Sequence, residues 1–405
     1  MTSIGTAESR ANIAADEASD FETSRVVTVS AAHGVHDTYT AFLPSLLPVF
    51  IANFALSKTE AGLLSVFMQT PSLFQPFIGH LADRLSLRYL VILAPAVTSA
   101  AMSLLGVAPG YAVLALLLIV AGLSSASLHS VGPVMAGRLS GESLGRGMGF
   151  WMVGGELGRT LGPVVIVSAL QLLTLQGTPV LMVVGLLTSV LLFFLLKDVA
   201  ARPETASEAL PWRQALQGMG GLLPPLIGVI VVRSFMVSAL TTYLPTFLSE
   251  EGAGLFVAGA SLSVLQGAGV AGALAGGSLS DRLGRRAILF ASMLTTPLLM
   301  FAFLLANGWL RVPLLLLMGF AALSVGPVIM ALVQETSPES RALANGVYMA
   351  FSFVIRSGVI VLVGAVGDLF SLRVAFTAGA VITLLGLPLI LFLPSTGSGQ
   401  GGMSE

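Results

Sequence analysis

Apolar stretches of about 20 residues, the length an α-helix needs to cross a bilayer, return along this chain with only short polar breaks between them. Twelve such spans can be placed, at 27–52, 60–82, 88–107, 112–135, 146–171 and 179–197, then at 220–246, 254–279, 286–306, 311–333, 342–366 and 372–393. Inside lipid every backbone N–H and C=O must find a partner within the protein, which leaves helices and closed barrels as the spanning structures. The strict alternation of a barrel strand is missing, so the spans read as helices. Composition agrees: 10% of the 405 residues are charged and 55% are apolar, against about 25% charged in soluble domains. A surface so short of charge suits lipid.

The expected fold is an all-α membrane protein with twelve transmembrane helices in two pseudo-symmetric six-helix halves. The longest polar break between spans, 198–216, divides them six and six. It reads as a linker between an amino-terminal half (26–197) and a carboxy-terminal half (217–393). Residues 1–25 are acidic and lack the short apolar core of a signal peptide, so they read as a disordered cytoplasmic tail. Residues 394–405 read as a flexible tail. Of the nineteen Lys and Arg, thirteen fall on the side of the amino terminus, three (Lys58, Arg311, Arg373) on the other side, and three within spans. By the positive-inside rule both termini lie in the cytoplasm, and the expected location is the inner (plasma) membrane.

The halves echo each other in order. Thr40-Ala-Phe-Leu-Pro44 returns as Thr241-Thr-Tyr-Leu-Pro245, Gly79-His-Leu-Ala-Asp83-Arg84-Leu85 as Gly277-Ser-Leu-Ser-Asp281-Arg282-Leu283, and Ser130-Val-Gly-Pro-Val134 as Ser324-Val-Gly-Pro-Val328. Duplicated halves that rock about a central site provide alternating access.

Charges inside spans need an explanation, since a centrally placed charge costs about 2.5–3.5 kcal/mol on insertion scales. Arg159 in span 5 and Arg356 in span 11 lie at matched points, each ten residues after a glycine (Gly149, Gly346). A planar guanidinium pairs bidentately with carboxylate, phosphate or phosphonate, so the pair reads as a clamp for an anionic substrate. Glu156, three residues before Arg159, shares its face and offers a simpler outcome, a neutralised pair. Arg356 has no acid within four residues. Arg233 in span 7 is a third deep cation, with Asp37 or substrate as its partner.

His33, His36 and Asp37 share a face of span 1. A carboxylate beside imidazoles can change charge near physiological pH, so Asp37 is the first candidate proton carrier and Glu156 the second. A polar cluster that knits helices together is the plainer alternative, and metal ligation by the same three residues is a weak one. His129 in span 4 is a candidate substrate contact or an interhelical hydrogen bonder. Gln69, Gln266 and Tyr243 are candidate cavity liners or packing residues. No metal or cofactor is expected: there is no cysteine, no Gly-x-x-x-x-Gly-Lys loop and no His-Glu-x-x-His. A net charge of −1 gives no reason to expect nucleic acid as a partner.

The complete element Gly277 to Arg286, with its imperfect first copy at Gly79 to Arg88, resembles the loop signature of the major facilitator superfamily. Gly154-Gly-Glu-Leu-Gly-Arg-Thr-Leu-Gly-Pro163 resembles the span-5 signature of antiporters in that superfamily, while the span-4 arginine of many drug/proton antiporters is absent. Within the superfamily, His36-Asp37, Gln75-Pro76-x-x-Gly79, Gly122 to His129, and Val153-Gly-Gly leading to Gly162-Pro163 are similar to the fosmidomycin resistance protein family. That family's His-Pro-Glu triplet reads His129-Ser130-Val131 here. The resemblance implies a gate at Gly79, Asp83 and Arg84 and at Gly277, Asp281, Arg282 and Arg285. The loop arginines have an alternative role as headgroup anchors. It further implies a monomer in a lipid bilayer that uses protons to export a small molecule, as in drug efflux. Rival readings are uptake by symport or exchange, a receptor or scaffold, and, more weakly, a membrane enzyme, for which no nucleophile or metal set converges.

Overall fold

The computed structural model describes residues 21–75, 77–78, 88–141, 143–197, 199, 220–336 and 341–394. The loop residues Gly79, Asp83 and Arg84, both outer tails up to Asp20 and from Ser395, and the linker apart from Val199 lie outside the described residues.

Among the described residues, ten helices are long and apolar enough to cross a membrane by themselves. The first two crossings are built from shorter pieces and complete the twelve. Span 1 is Thr23–Thr40 followed by Leu43–Phe54, beginning inside the expected tail. Span 2 is Lys58–Gln69, tightening to a 3-10 turn at Thr70–Phe74. Spans 3 to 6 are Arg88–Leu104, Tyr111–Arg138, Leu144–Leu173 and Met182–Leu195. Span 7 is Leu223–Ser238, a π-helical turn at Ala239–Tyr243, and Leu244–Glu250. Spans 8 and 9 are Leu255–Leu283 and Arg285–Leu305. Span 10 is Arg311–Leu323 and Val325–Thr336, and spans 11 and 12 are Arg341–Leu369 and Leu372–Leu385.

The breaks in spans 1 and 7 have one cause. Proline lacks an N–H and crowds the preceding turn, so the carbonyl four residues back loses its helical partner. Pro44 and Pro245 stand at the same place in the duplicated Thr-x-x-Leu-Pro element, and both helices deform just before them. The deformation leaves Thr40 and Thr241 facing the space between the halves.

Each half has two apolar cores of its own. Leu46, Phe50, Leu64, Met102 and Leu118 pack in one cluster, and Val29, Ile92, Val131 and Trp151 in another. In the second half Phe247, Leu262, Met300 and Phe376 form one cluster, and Leu226, Leu289, Ile329 and Leu332 the other. Outward faces carry exposed apolar side chains, such as Leu187, Leu191 and Phe194 on span 6. That surface is covered by lipid.

The halves meet at one end. The Asp368 carboxylate at the end of span 11 accepts from Lys58 N (2.7 Å), Thr59 N (2.9 Å) and Thr59 Oγ1 (2.6 Å), capping the amino end of span 2. Lys58 Nζ pairs with Glu250 Oε1 at 3.0 Å. The Tyr243 hydroxyl bridges the Ile360 carbonyl (2.9 Å) and the Lys58 carbonyl (3.1 Å), where Gly62 and Gly364 leave room for it. Val164 N donates to Ser263 Oγ at 3.2 Å where spans 5 and 8 cross. These hydrogen bonds and ion pairs join the halves.

At the same end, Glu251 accepts from Arg373 (2.6 Å) and Arg311 (3.3 Å), tying three loops of the second half. Burial works against its charge, but the Arg373 and Arg311 guanidiniums outweigh that and hold its carboxyl below the ordinary 4.5. A carboxyl lowered by folding stabilises the fold above its unfolded value, and that contribution vanishes as pH falls through the folded value. Glu251→Gln is therefore expected to lower the melting temperature at neutral pH and to match the parent once pH is well below 4.5. Parallel melting curves at both pH values would count against the ion pair.

At the opposite end, Gly284 joins spans 8 and 9 with φ at +91°, a conformation that favours glycine. Beside it Arg285 pairs with Asp281 and Glu335, both at 2.6 Å, and donates to Ser280. Arg282 is exposed. All these partners belong to the second half.

Candidate functional site: a charged cavity between the halves

Between the halves lies a cavity of about 420 Å³. Spans 1, 2, 4 and 5 line one side with Asp37, Thr40, Gln69, His129 and Arg159, and spans 7, 8 and 11 line the other with Thr241, Gln266 and Arg356. The two matched arginines thus meet in one space. Tyr243 is not part of the lining. It is fully buried and sits in the seal described above. Arg233 is also set back from the lining, with Nη2 donating to the Ala322 carbonyl at 3.2 Å.

The first-half wall is a closed ionic network. Arg159 Nη1 donates to Asp37 Oδ2 at 2.7 Å, and its Nη2 pairs with Glu156. His36 Nδ1 lies 2.9 Å from Asp37 Oδ1, and His33 Nε2 lies 3.4 Å from Asp37 Oδ2. Asp37 therefore takes Arg159 rather than Arg233, and Glu156 does share the Arg159 charge. His33 is stacked on Trp151, ring centroids 3.8 Å apart.

Glycines make the network possible. Gly154, Gly158 and Gly162 form a stripe on span 5, and a Cβ at these places would strike the backbone carbonyls of Ser30, Gly34 and Thr38 on span 1. The helices touch backbone to backbone, which brings Arg159 onto Asp37. Gly158→Leu is expected to cost about 1–3 kcal/mol through overpacking, read as a lower melting temperature in detergent. An unchanged melting temperature would contradict this close approach.

The second-half wall has a different chemistry. Arg356 Nη2 donates to Thr241 Oγ1 at 3.0 Å, and the Nε atoms of Arg356 and of Arg233 are buried without a partner. No carboxylate among the described residues faces either guanidinium. Gln69 Oε1 in the cavity is likewise a buried acceptor without a donor.

His33, Asp37 and His129 offer three donor atoms within 4.8 Å of one another. The set is not built to hold a dication. Both Asp37 oxygens already serve Arg159 and His36, and a double positive charge would stand beside a guanidinium.

Sequence reasoning missed Asp368 and the tautomer-setting contacts of His33 and His129. Asp368 lies at the last turn of a span, where a carboxylate reads as an ordinary helix-end residue. Its role depends on a helix 310 residues away in sequence.

A twelve-span bundle with a charged cavity between two similar halves defines a membrane transporter. The family model of the Major Facilitator Superfamily matches residues 29–360 and 268–402, and the chain belongs to that superfamily. It is 24% identical over 381 residues to the Fosmidomycin resistance protein of Escherichia coli (strain K12), covering 90% of this chain and 91% of that one. It is 23% identical over 389 residues to the uncharacterized MFS-type transporter YfnC of Bacillus subtilis (strain 168), covering 91% and 92%. Among solved structures, a bacterial homolog of the human lysosomal transporter Spinster, in an inward-facing occupied conformation, matches at a TM-score of 0.77 and 14% identity over 92% of this chain and 96% of that one. The nucleoside transporter NupG matches at 0.72 and 14% identity over 90% and 98%. The chain is not an enzyme.

Proposed function

We propose that this transporter moves a small organic anion or zwitterion through the central cavity by alternating access, coupled to protons, and that it exports its substrate across the inner membrane with both termini in the cytoplasm. The observation that carries the substrate class is the second-half wall: Arg356 lines the cavity and Arg233 lies behind it, with no carboxylate among the described residues facing either. A buried cation without a counter-ion is costly, and an anionic substrate supplies the missing charge. Likeness to a drug-resistance protein supports export. With the positive-inside orientation, the end sealed by Asp368, Lys58 and Tyr243 faces outward, so this is the inward-facing state. The second loop signature, Gly277 to Arg285, acts in the opposite state as part of the inner gate. The protein works as a monomer.

The test is transport in proteoliposomes of known orientation with an imposed pH gradient, using radiolabelled small carboxylates and phosphonates. Asp37→Asn is expected to abolish pH-driven transport while leaving substrate binding measurable, because Asp37 organises the network that senses the proton. Full coupled transport in that variant would overturn the coupling assignment.

One feature favours a second reading, uptake by symport. Arg159 and Arg356 line the same cavity as Asp37 and His129. An anion bound there favours binding of a proton nearby, which is the sign of co-transport. Anion binding that tightens as pH falls supports symport, and binding that weakens supports export by exchange.

A further inference from the structure

His33 and His129 present a conflict that their surroundings do not resolve without a cation. His33 Nδ1 lies 2.9 Å from the Trp151 carbonyl, and His129 Nδ1 lies 2.9 Å from the Ser125 carbonyl. A carbonyl oxygen only accepts, so both Nδ1 atoms carry hydrogen; the Ser125 hydroxyl, 3.3 Å from His129 Nδ1, accepts from the same N–H, because donating to a bare Nδ1 would set that lone pair against the carbonyl oxygen at 2.9 Å. In neutral imidazoles that leaves a lone pair on each Nε2. Yet the two Nε2 atoms face each other at 3.2 Å, hydrogen-bond distance with no hydrogen between them.

We infer that His33 and His129 form a single proton-binding site, in which one proton lies between the two Nε2 atoms and is the proton this transporter carries. Its identification as the carried proton rests on the proposed proton coupling; the site itself rests on the geometry alone. Binding makes one N–H bond and one N–H···N hydrogen bond, and turns the pair from two neutral rings into an imidazolium with an imidazole partner.

Charge balance points to the same occupant. The groups facing the pair are His36 and Asp37 from span 1, Glu156 and Arg159 from span 5, and Arg356 across the cavity. Asp37, Glu156 and Arg159, joined by direct ion pairs, together carry one net negative charge, while Arg356, paired with none of them, stands across the cavity where it balances an anionic substrate. A single proton on the histidine pair makes the network neutral, whereas a divalent metal would overshoot. The Asp37 oxygens lie 3.4 Å from His33 Nε2 and 3.7 Å from His129 Nε2, close enough to stabilise the proton without taking it. Asp37 is then the counter-ion, held by Arg159, and the histidines are the carrier. His33 is nearly fully buried while His129 lines the cavity, so the proton enters and leaves through His129.

The test is histidine nitrogen NMR on the full chain in lipid nanodiscs across roughly pH 5 to 8, the range in which imidazoles titrate. Both Nδ1 atoms should stay protonated throughout. The two Nε2 atoms together should take up one proton and show coupling across their hydrogen bond. His129→Gln places an amide N–H against His33 Nε2, so this proton uptake should be lost. The wild-type titration decides the matter even if a variant folds poorly. Two unprotonated Nε2 atoms at the acid end, two separate protonations, a proton on the Asp37 carboxyl, or a stoichiometric metal removed by chelator would each overturn the assignment. Failure here leaves transport of an organic anion untouched, and failure of transport leaves the titration standing.

Discussion

Asp368→Asn is expected to open the sealed end of the cavity. The wild-type carboxylate accepts three hydrogen bonds from the first turn of span 2, where free N–H groups and the helix dipole favour a negative charge. These bonds cross between the halves, so they exist only while the halves are closed at that end. A ligand-like contact made in one state and absent in the other shifts the equilibrium by its own free energy. Hydrogen bonds to a charged group contribute about 1.5–3 kcal/mol each. The opened state recovers part of that from water, and asparagine retains one acceptor. A net loss of about 2 kcal/mol would move the population ratio roughly 30-fold. The chain has no cysteine, so spin labels attached at Asn53→Cys and Phe370→Cys report that end alone. The variant should show a longer distance population that the parent lacks. Identical distance distributions would mean that Asp368 is an ordinary helix cap and that the seal rests on Lys58, Glu250 and Tyr243.

Arg356→Ala is expected to remove most anion affinity, because Arg356 is the cavity cation that has no counter-ion among the described residues. Arg159 is already committed to Asp37 and Glu156, and drawing it away would leave both acids uncompensated. Replacing Arg356 takes away about 1.5–3 kcal/mol of charge-assisted bonding, or roughly 10- to 150-fold in dissociation constant. Stability should not fall by that amount, since the substitution also removes a buried guanidinium that faces no carboxylate among the described residues. A thermal-shift screen of carboxylates, phosphonates and cationic drugs reads this directly, because a ligand of the folded state raises the melting temperature. An anion that stabilises the parent and not the variant establishes the clamp. Stabilisation by cations, unchanged in Arg356→Ala, would move substrate recognition to Asp37 and Glu156. Arg356→Lys separates charge from shape: a lysine that restores little affinity indicates bidentate recognition of a planar anion.

The seal and the cavity have one structural origin. The duplicated Thr-x-x-Leu-Pro element deforms spans 1 and 7 and exposes Thr40 and Thr241 to the cavity. Two residues further along, Tyr243 reaches the crossing of spans 2 and 11 and locks it. Movement of span 11 that breaks the Asp368 cap would also shift Arg356, which lies on the same helix. The seal and the proposed anion site are therefore mechanically linked through span 11.

The number of spans, their division into halves and the superfamily were legible in the sequence because lipid imposes a simple rule. A spanning helix needs a long apolar run, and duplication leaves echoes that survive when side chains diverge. The placement of Arg159, Arg233 and Arg356 within spans was legible for the same reason, as was the i, i+3 pairing of Glu156 with Arg159. Partners on different helices were not. That Asp37 takes Arg159 and not Arg233, that Tyr243 belongs to the seal, and that Asp368 caps a helix 310 residues away depend on how spans cross. Crossing is set by where glycines such as Gly154, Gly158 and Gly162 allow backbones to touch. The sequence by itself determined which charges had to be explained. Only the tertiary structure decided which of them neutralise one another and which face no carboxylate among the described residues, because pairing energies fall off within a few ångströms and those distances arise between helices.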